Sequence, residues 1–157
     1  MNDIETSNVF QASKLLTLVT GGVKYGLGVS RVTEIVGMCP ITTVPRAPEY
    51  LRGVINYRGK IVPALDLTKF LHPNSDRSVG ATSIVIVSAE GKGQEQLIGL
   101  VVDEVLEVVL LLEKSLRQAI LSKASNHEET VLIKMNVEGE DIIALDLNSM
   151  LESINSA

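Results

Sequence analysis

The side chains that could do acid–base or nucleophilic chemistry are few in this chain. It has two histidines, His72 and His127, and one cysteine. A hydrolase needs a nucleophile and a base, and the base is usually a histidine that a third group holds in place. His72 precedes Pro73 in a polar stretch and His127 lies in a second polar stretch, so we interpret both as solvated loop residues. The sequence predicts no catalytic residue and no enzymatic activity.

Three carboxylates, Asp103, Glu104 and Glu107, lie close together and raise the question of a metal site. A hard cation such as Ca²⁺ takes about six or more oxygen ligands, which is more than this cluster supplies. Two of the three also lack a carboxylate counterpart in the internal repeat of the chain. We therefore interpret the cluster as a solvated face and predict neither a metal site nor a cofactor.

The composition favours a β-rich protein with an aliphatic core. Hydrophobic residues make up 45% of the 157 residues while aromatics make up only 3%, and Val, Ile and Leu dominate the apolar runs. Such residues are typical of strands. Cys39 is the only cysteine, which excludes an intramolecular disulfide and fits a reducing compartment, and we interpret it as a small buried hydrophobe.

Charge and hydropathy argue against nucleic-acid and membrane-spanning functions. The net charge is −5, and lysines and arginines do not cluster. The apolar stretches fall well short of the about 20 residues that cross a bilayer, so membrane association is expected only through a partner. The polar residues 1–13 are predicted to form a flexible N-terminus without a signal peptide.

The chain contains an internal repeat. YGLGVSRVTEIV (25–36) matches IGLVVDEVLEVV (98–109), and GKIVPALDLTKFL (59–71) matches GEDIIALDLNSML (139–151), both without gaps. Repeats this far apart indicate a duplicated lobe rather than a solenoid. We predict lobe one at about 14–72 and lobe two at about 80–152, with strand exchange between them possible, and a surface excursion at 112–130.

Within each half, glycine turns and aspartates mark the ends of the predicted elements. Gly53, Gly59 and Gly139 are predicted structural turns, the last two closing hairpins through positive φ. Asp66 and Asp146 each end an apolar strand before Leu-x-x-x-Leu, a pattern typical of the N-cap of a short helix. Short curved sheets with glycine corners favour a mainly β fold with two small barrels packed side by side.

Arg58 is a difference between the two halves. It stands in the turn Tyr57-Arg58-Gly59, whereas the repeat has Glu138 at the same place. The turn geometry therefore does not require a cation. A guanidinium here fits a carboxylate of a partner or of the other lobe, while a solvated surface arginine remains the alternative.

The segment ITTVPRAPEYLRGVINYRGKIVPALDL (41–67), with YGLGVSRVTEIV before it and IGLVVDEV after it, resembles the CheW-type coupling proteins of bacterial chemosensory systems. The resemblance covers about residues 14–152, which it identifies as a single CheW-like domain. It implies two SH3-like five-stranded β-barrel lobes around a shared core, with a short helix after the last strand of each lobe.

The resemblance also implies a function. CheW-like proteins are non-enzymatic adaptors that couple the cytoplasmic tips of methyl-accepting chemoreceptors to the regulatory domain of a CheA-type histidine kinase. The expected location is the cytoplasm, with recruitment to membrane-bound receptor arrays. Three rivals stay open: a small-molecule sensor barrel, an enzyme, which would need a catalytic group that the sequence lacks, and a similar adaptor that serves pilus motility or another output.

Carried over by position, the resemblance implies two interaction surfaces on this chain. Val32 and Val105 occupy equivalent positions of the repeat and therefore also fit a core role. Tyr57 departs from the aliphatic residue that is usual in the family. The implied receptor groove between the lobes includes Arg58, Ile84, Ile86, Gly99, Val105 and Val108, and the implied kinase-binding surface of the first lobe includes Val29, Val32, Glu34 and Ile35.

Overall fold

The structure is a computed structural model, which describes residues 14–76, 80–91, 93–111, 132–137 and 139–155. The predicted flexible segment 1–13 and the whole predicted excursion 112–130 lie outside the described residues, as do His127 and Glu138. The described part of the chain is mainly β, as predicted.

The described elements are ten strands, two α-helices and a 3₁₀ turn at Val29–Arg31. The helices are α1 Leu67–Leu71 and α2 Leu147–Asn155. The strands are β1 Lys14–Thr20, β2 Val23–Gly28, β3 Val32–Gly37, β4 Leu51–Tyr57, β5 Lys60–Asp66, β6 Ser83–Gly91, β7 Gln94–Val102, β8 Glu104–Leu110, β9 Leu132–Val137 and β10 Glu140–Leu145.

The strands form two five-stranded sheets, and each sheet contains strands from both halves of the sequence. Sheet 1 has the order β8-β1-β2-β10-β9, and sheet 2 has the order β3-β6-β7-β5-β4. The first two strands of each half thus combine with the last three strands of the other half. The two predicted lobes, 14–72 and 80–152, therefore do not correspond to the two sheets.

Equivalent residues of the repeat make the same contact in both sheets. β2 runs parallel to β10 with Gly26 opposite Ala144, and β7 runs parallel to β5 with Gly99 opposite Ala64. Gly26 is the repeat counterpart of Gly99, and Ala64 is the counterpart of Ala144. The two sheets are consequently built on one plan, with a parallel pair in the middle and antiparallel pairs on either side.

The prediction of two five-stranded sheets is confirmed, but that of closed SH3-like barrels is not. Among the described residues each sheet is open, with β8 and β9 at the edges of sheet 1 and β3 and β4 at the edges of sheet 2. The strands at the two edges of a sheet would have to pair to close a barrel.

The largest hydrophobic cluster contains residues of both sheets. Leu18 and Leu27 contribute to it from sheet 1, Val85 and Leu100 from sheet 2, and Leu147 from α2. These side chains are almost completely excluded from solvent. Burial of aliphatic side chains is the main favourable term in folding, so this shared cluster holds the sheets together.

Each helix follows the last strand that a half contributes to a sheet, and each begins at an aspartate. Asp66 Oδ1 accepts a hydrogen bond from the Lys69 amide of α1 at 3.1 Å, and Asp146 Oδ1 accepts one from the Ser149 amide of α2 at 3.2 Å. The carboxylates satisfy amides that have no partner within their helices. The longest described helix has nine residues, and none is long and apolar enough to cross a membrane.

His72 does not have the solvated position predicted for it. Its ring is half-buried at the end of α1, and Nε2 lies 2.9 Å from the hydroxyl of Tyr25. Tyr25 is buried, and burial raises the pKa of its phenol. A buried hydroxyl needs a hydrogen-bond partner, and His72 supplies it. His72 is therefore a structural residue at the edge of the hydrophobic core.

Candidate functional site

Arg58 lies in a tight two-residue hairpin between β4 and β5. Tyr57 pairs with Lys60, and the two residues between them, Arg58 and Gly59, have φ of 51° and 81°. Two successive positive φ values are typical of the type I′ turn that matches the twist of antiparallel strands. The Gly59 amide donates to Asn56 Oδ1 at 2.9 Å, which fixes the turn further.

The second hairpin, between β9 and β10, repeats this bond. The Gly139 amide donates to Asn136 Oδ1 at 3.1 Å, and Gly139 has φ of 83°. Glycine adopts this conformation readily whereas other residues resist it. The shared turn thus depends on an asparagine and a glycine, and it does not depend on the side chain of Arg58.

Arg58, Tyr57 and Glu34 form a polar cluster, called the Glu34 cluster below. Glu34 Oε1 accepts hydrogen bonds from the Tyr57 hydroxyl at 2.6 Å and from Arg58 Nη2 at 2.8 Å. The Arg58 guanidinium also lies 5.5 Å from the centre of the Tyr57 ring. The Arg58 side chain is nevertheless 73% exposed, so most of its donors face solvent. The cluster holds a cation in a defined position on the surface.

The bond to Glu34 is the main cause of a raised Tyr57 pKa, with burial adding to the effect and the Arg58 charge opposing it. We expect Glu34→Gln to bring this pKa back toward its ordinary value of about 10, because a neutral amide oxygen is a weaker acceptor than a carboxylate. Titration of phenolate absorbance measures the change, and Tyr57→Phe identifies which part of the curve belongs to Tyr57.

A raised folded-state pKa also fixes the direction of a pH effect. The stabilisation linked to Tyr57 is fully present below about pH 10, where the phenol is protonated in both states, and is lost as the pH rises through the folded-state pKa. An identical titration curve for the Glu34→Gln variant would contradict the role assigned to this bond.

The predicted kinase-binding residues divide between the two faces of β3. Val32 and Ile35 pair with Val87 and Val85 of β6, whose side chains belong to the main core. A shift of register after Val32 places Glu34 opposite Ile86, on the other face of the sheet. Val29 precedes this strand in the 3₁₀ turn and packs with Val32 against the main core. Of these four residues Ile35 alone is exposed, at 44%, while the other three are half-buried.

Three of the predicted receptor-binding residues are buried. Ile84 and Ile86 of β6 have no exposed surface, and Gly99 of β7 packs beside Ile84 with no room for a larger side chain. A side chain without exposed surface cannot touch a partner of the folded protein. Direct receptor contact at Ile84, Ile86 and Gly99 is therefore corrected to a structural role in the core of sheet 2.

The other two apolar receptor predictions lie on β8, the edge strand of sheet 1. Val105 is half-buried against the main core, while Val108 is 50% exposed. Leu106 and Leu110, on either side of Val108 along β8, are also exposed, at 39% and 60%. We call Leu106, Val108 and Leu110 the β8 stripe.

The structure brings together residues that the sequence analysis placed on separate surfaces. Arg58 was assigned to the receptor groove and Glu34 to the kinase-binding surface, yet they form an ion pair. Sequence reasoning also missed Tyr57 as the link between them and Ile61, which is 69% exposed on β5.

The described residues contain no group of three or more histidine, cysteine, aspartate or glutamate side chains placed to hold a metal ion. Their buried side-chain nitrogen and oxygen atoms all have hydrogen-bond partners. Unsatisfied buried polar groups often mark a site that awaits a ligand. What the described surface offers instead is a fixed cation and exposed aliphatic side chains, which are suited to contacts with other proteins.

Comparison with known proteins gives consistent matches. The model of the CheW-like domain matches residues 14–155. The chemotaxis protein CheW of Thermotoga maritima is 32% identical over 80% of this chain and 79% of its own length. The CheW of Klebsiella aerogenes is 34% identical over 68% of this chain and 61% of its length, which is less than two thirds of that relative.

A solved structure has the same fold. The scaffolding protein TtCheW from Thermoanaerobacter tengcongensis superposes with a TM-score of 0.72 at 30% sequence identity. The match covers 89% of this chain and 92% of that one. The likeness therefore extends over both sheets rather than over one shared motif.

Proposed function

Since the chain belongs to the CheW-like domain family of chemotaxis adaptors, we propose that it couples chemoreceptors to a CheA-type histidine kinase. The observation that carries the proposal is the position of Arg58, a largely exposed cation fixed by a type I′ turn and by Glu34. An arginine held in this way offers paired hydrogen bonds to a carboxylate of a partner.

The receptor surface that we propose combines Arg58 with the exposed part of β8. Val108 supplies apolar area, and Val105 packs against the main core on the same side of sheet 1. A receptor helix would bury its apolar stripe on such residues, in the way that helices bind hydrophobic grooves. Arg58 would add specificity through an acidic side chain of the helix.

The kinase surface that we propose is the edge strand β3 around Ile35, with Glu34 on the other face of that strand. Because Glu34 contacts Arg58, the two proposed surfaces meet at the Glu34 cluster. Binding of one partner can therefore alter the surface that the other partner meets. Only a small difference in affinity between receptor states is required for such coupling.

No chemical step is required for this role. A single interface of modest area binds weakly, and several such interfaces within one assembly raise the overall affinity for the assembly. We propose that residues 14–152 act as a single domain, since each sheet needs strands of both halves. The proposed place of action is the cytoplasm, at membrane-bound receptor arrays.

The internal repeat supplies a matched pair of variants that tests the proposal. Ile35 of β3 and Val108 of β8 are repeat counterparts and have similar exposure, 44% and 50%. We expect Ile35→Asp to weaken kinase binding, and Val108→Asp to weaken receptor binding, each by about tenfold or more, since a buried unpaired carboxylate is costly. Calorimetric titration with a receptor cytoplasmic fragment and with a kinase regulatory domain measures both affinities.

Each variant is the control for the other, and circular dichroism establishes that both remain folded. If each folded variant lost both partners equally, or neither, the assignment of two distinct surfaces would be contradicted.

A further inference from the structure

A cavity of about 500 Å³ lies between sheet 2 and α2, and it does not include the residues of the Glu34 cluster or the β8 stripe. Its floor is formed by Leu65 of β5, Ile98 of β7 and Leu151 of α2, which all belong to the main hydrophobic core. Cavities of about 300–1,000 Å³ with an apolar lining are typical of sites for small molecules.

The walls of the cavity are also mainly apolar. Tyr50 and Pro48 contribute from the segment before β4, Pro63 from β5 and Ile154 from α2. The ring of Tyr50 is fixed by an edge-on contact with Phe70, whose ring centre lies 5.2 Å away. The wall opposite the helix is therefore held in place by side-chain packing and by prolines, which restrict the backbone.

Arg46 is the single charged residue among those that line the cavity. It has a φ of 61°, a backbone conformation that costs free energy for any residue except glycine. Arg46 directly follows Pro45, and its side chain is exposed. Strained residues of this kind are concentrated at binding sites.

The positive charge of Arg46 is not neutralised within the described part of the chain. The nearest acidic residue in sequence, Glu49, pairs with Lys69 at 3.1 Å, and Asp66 pairs with Arg52 at 2.9 Å. The other polar side chains that line the cavity are neutral: the amides of Gln96 and Asn155 and the hydroxyl of Tyr50. The cavity thus combines an apolar interior with one cation and three neutral hydrogen-bonding groups.

We propose that this cavity binds an amphipathic carboxylate, with its apolar chain against Leu51, Pro63 and Ile154 above the nearly buried floor and its carboxylate at Arg46. An apolar chain gains by leaving water, and the guanidinium fork fits a carboxylate in a bidentate manner. The floor is the face of a sheet, so it does not offer the free backbone groups that an added peptide strand would need. A small molecule is therefore favoured over a peptide as the occupant of the cavity.

The occupant would touch β5 and β7 of sheet 2 and the helix α2, which follows β10 of sheet 1. A bound chain therefore adds contacts between sheet 2 and α2, and its binding raises the melting temperature as its concentration rises above Kd. This binding role is separate from the coupling of receptors to a kinase, and its test requires neither partner.

The test uses decanoate below its micelle concentration, with the neutral decanol as a probe of equal chain length, on protein labelled at its Ile and Leu methyl groups for NMR. We expect saturable decanoate shifts at Ile98, Leu151 and Ile154. Arg46→Gln should weaken decanoate binding by about tenfold or more, while Arg46→Lys retains part of it. Arg31→Gln, which changes an arginine outside the cavity, should have no effect.

A second variant, Ile154→Trp, fills the cavity with an indole ring from the end of α2. It should abolish the decanoate-induced shifts, and this test is independent of the arginine variants. Equal affinity of the Arg46→Gln variant, equal affinity for decanol, or shifts confined to the β8 stripe would each overturn the proposal. A receptor fragment that shifted the same methyl groups while decanoate did not would assign the cavity to a protein partner and would also overturn it.

Discussion

Replacement of Gly53 by alanine is expected to lower the free energy of unfolding by more than about 3 kcal/mol. Gly53 has φ of 148°, in a region that residues with a side chain rarely adopt. A Cβ atom at this position would lie 2.0 Å from the carbonyl oxygen of Thr42, far inside van der Waals contact. Either the strand or the preceding segment must move to accept it.

The movement is costly because the neighbouring backbone is already hydrogen-bonded. Thr42 and Val54 exchange two backbone hydrogen bonds, each of 2.9 Å. These bonds attach the proline-rich segment before β4 to the edge of sheet 2. An alanine at Gly53 would therefore break them or strain β4, and a lost backbone bond costs about 1 kcal/mol in addition to the strain.

Gly59→Ala is the matched control for this variant. Gly59 also has positive φ, 81°, but a Cβ atom there would meet nothing within 4 Å. Its replacement is expected to cost only about 1 kcal/mol, from backbone strain alone. Urea unfolding of both variants separates the steric contribution from the conformational one. Equal losses in the two variants would show that the close approach to Thr42 does not matter.

Replacement of Asp66 by alanine is expected to cost about 3–5 kcal/mol, because it breaks a buried ion pair. Asp66 has no exposed surface, and its Oδ2 accepts a hydrogen bond from Arg52 Nε at 2.9 Å. Its other oxygen caps α1 through the Lys69 amide. The variant would leave the Arg52 charge largely buried and opposite an apolar methyl group, which is the costly part of the change.

Two comparisons separate the pair from the cap. Asp146→Ala removes the equivalent cap of α2 without touching Arg52, and we expect it to cost about 1 kcal/mol. Arg52→Met in the Asp66→Ala background should recover part of the lost stability, since it removes the uncompensated charge. Urea unfolding measures all three variants. A double variant no more stable than Asp66→Ala would contradict this explanation.

The repeat predicted the strands but could not decide how they assemble. A strand β2 that pairs within its own half would place Gly26 opposite Ala64, whereas the observed exchange places it opposite Ala144. Ala64 and Ala144 are equivalent in the repeat, so the two arrangements bring nearly identical residues together. The choice depends on the connections between the halves and on the shared core, which are non-local properties.

The burial of the predicted receptor residues could have been inferred from the sequence. β6 is buried over Ile84–Ala89 without alternation. A continuous apolar run of this kind is typical of a strand covered on both faces. Position within a related family suggested a surface role for Ile84 and Ile86, and the periodicity of the strand argued against it.

The Glu34 cluster, in contrast, depends on contacts that a local pattern does not contain. Gly59 predicts a turn, but Glu34 lies 24 residues before Arg58, on a different strand. The fold of sheet 2, in which β3 and β4 are the opposite edges, brings the two side chains within 2.8 Å of one another. Local turn chemistry was predictable for this reason, while the partner of the arginine was not.

The most direct test of the adaptor role compares the wild-type chain with Arg58→Glu in quantitative pull-down of a receptor cytoplasmic fragment and a kinase regulatory domain. Wild type is expected to retain both proteins. The variant should unfold at nearly the same temperature, since exposed ion pairs contribute little to stability, and should lose receptor affinity by about tenfold or more while still binding the kinase. Undiminished receptor binding by the folded variant, or failure of the wild type to bind either protein, would contradict the account.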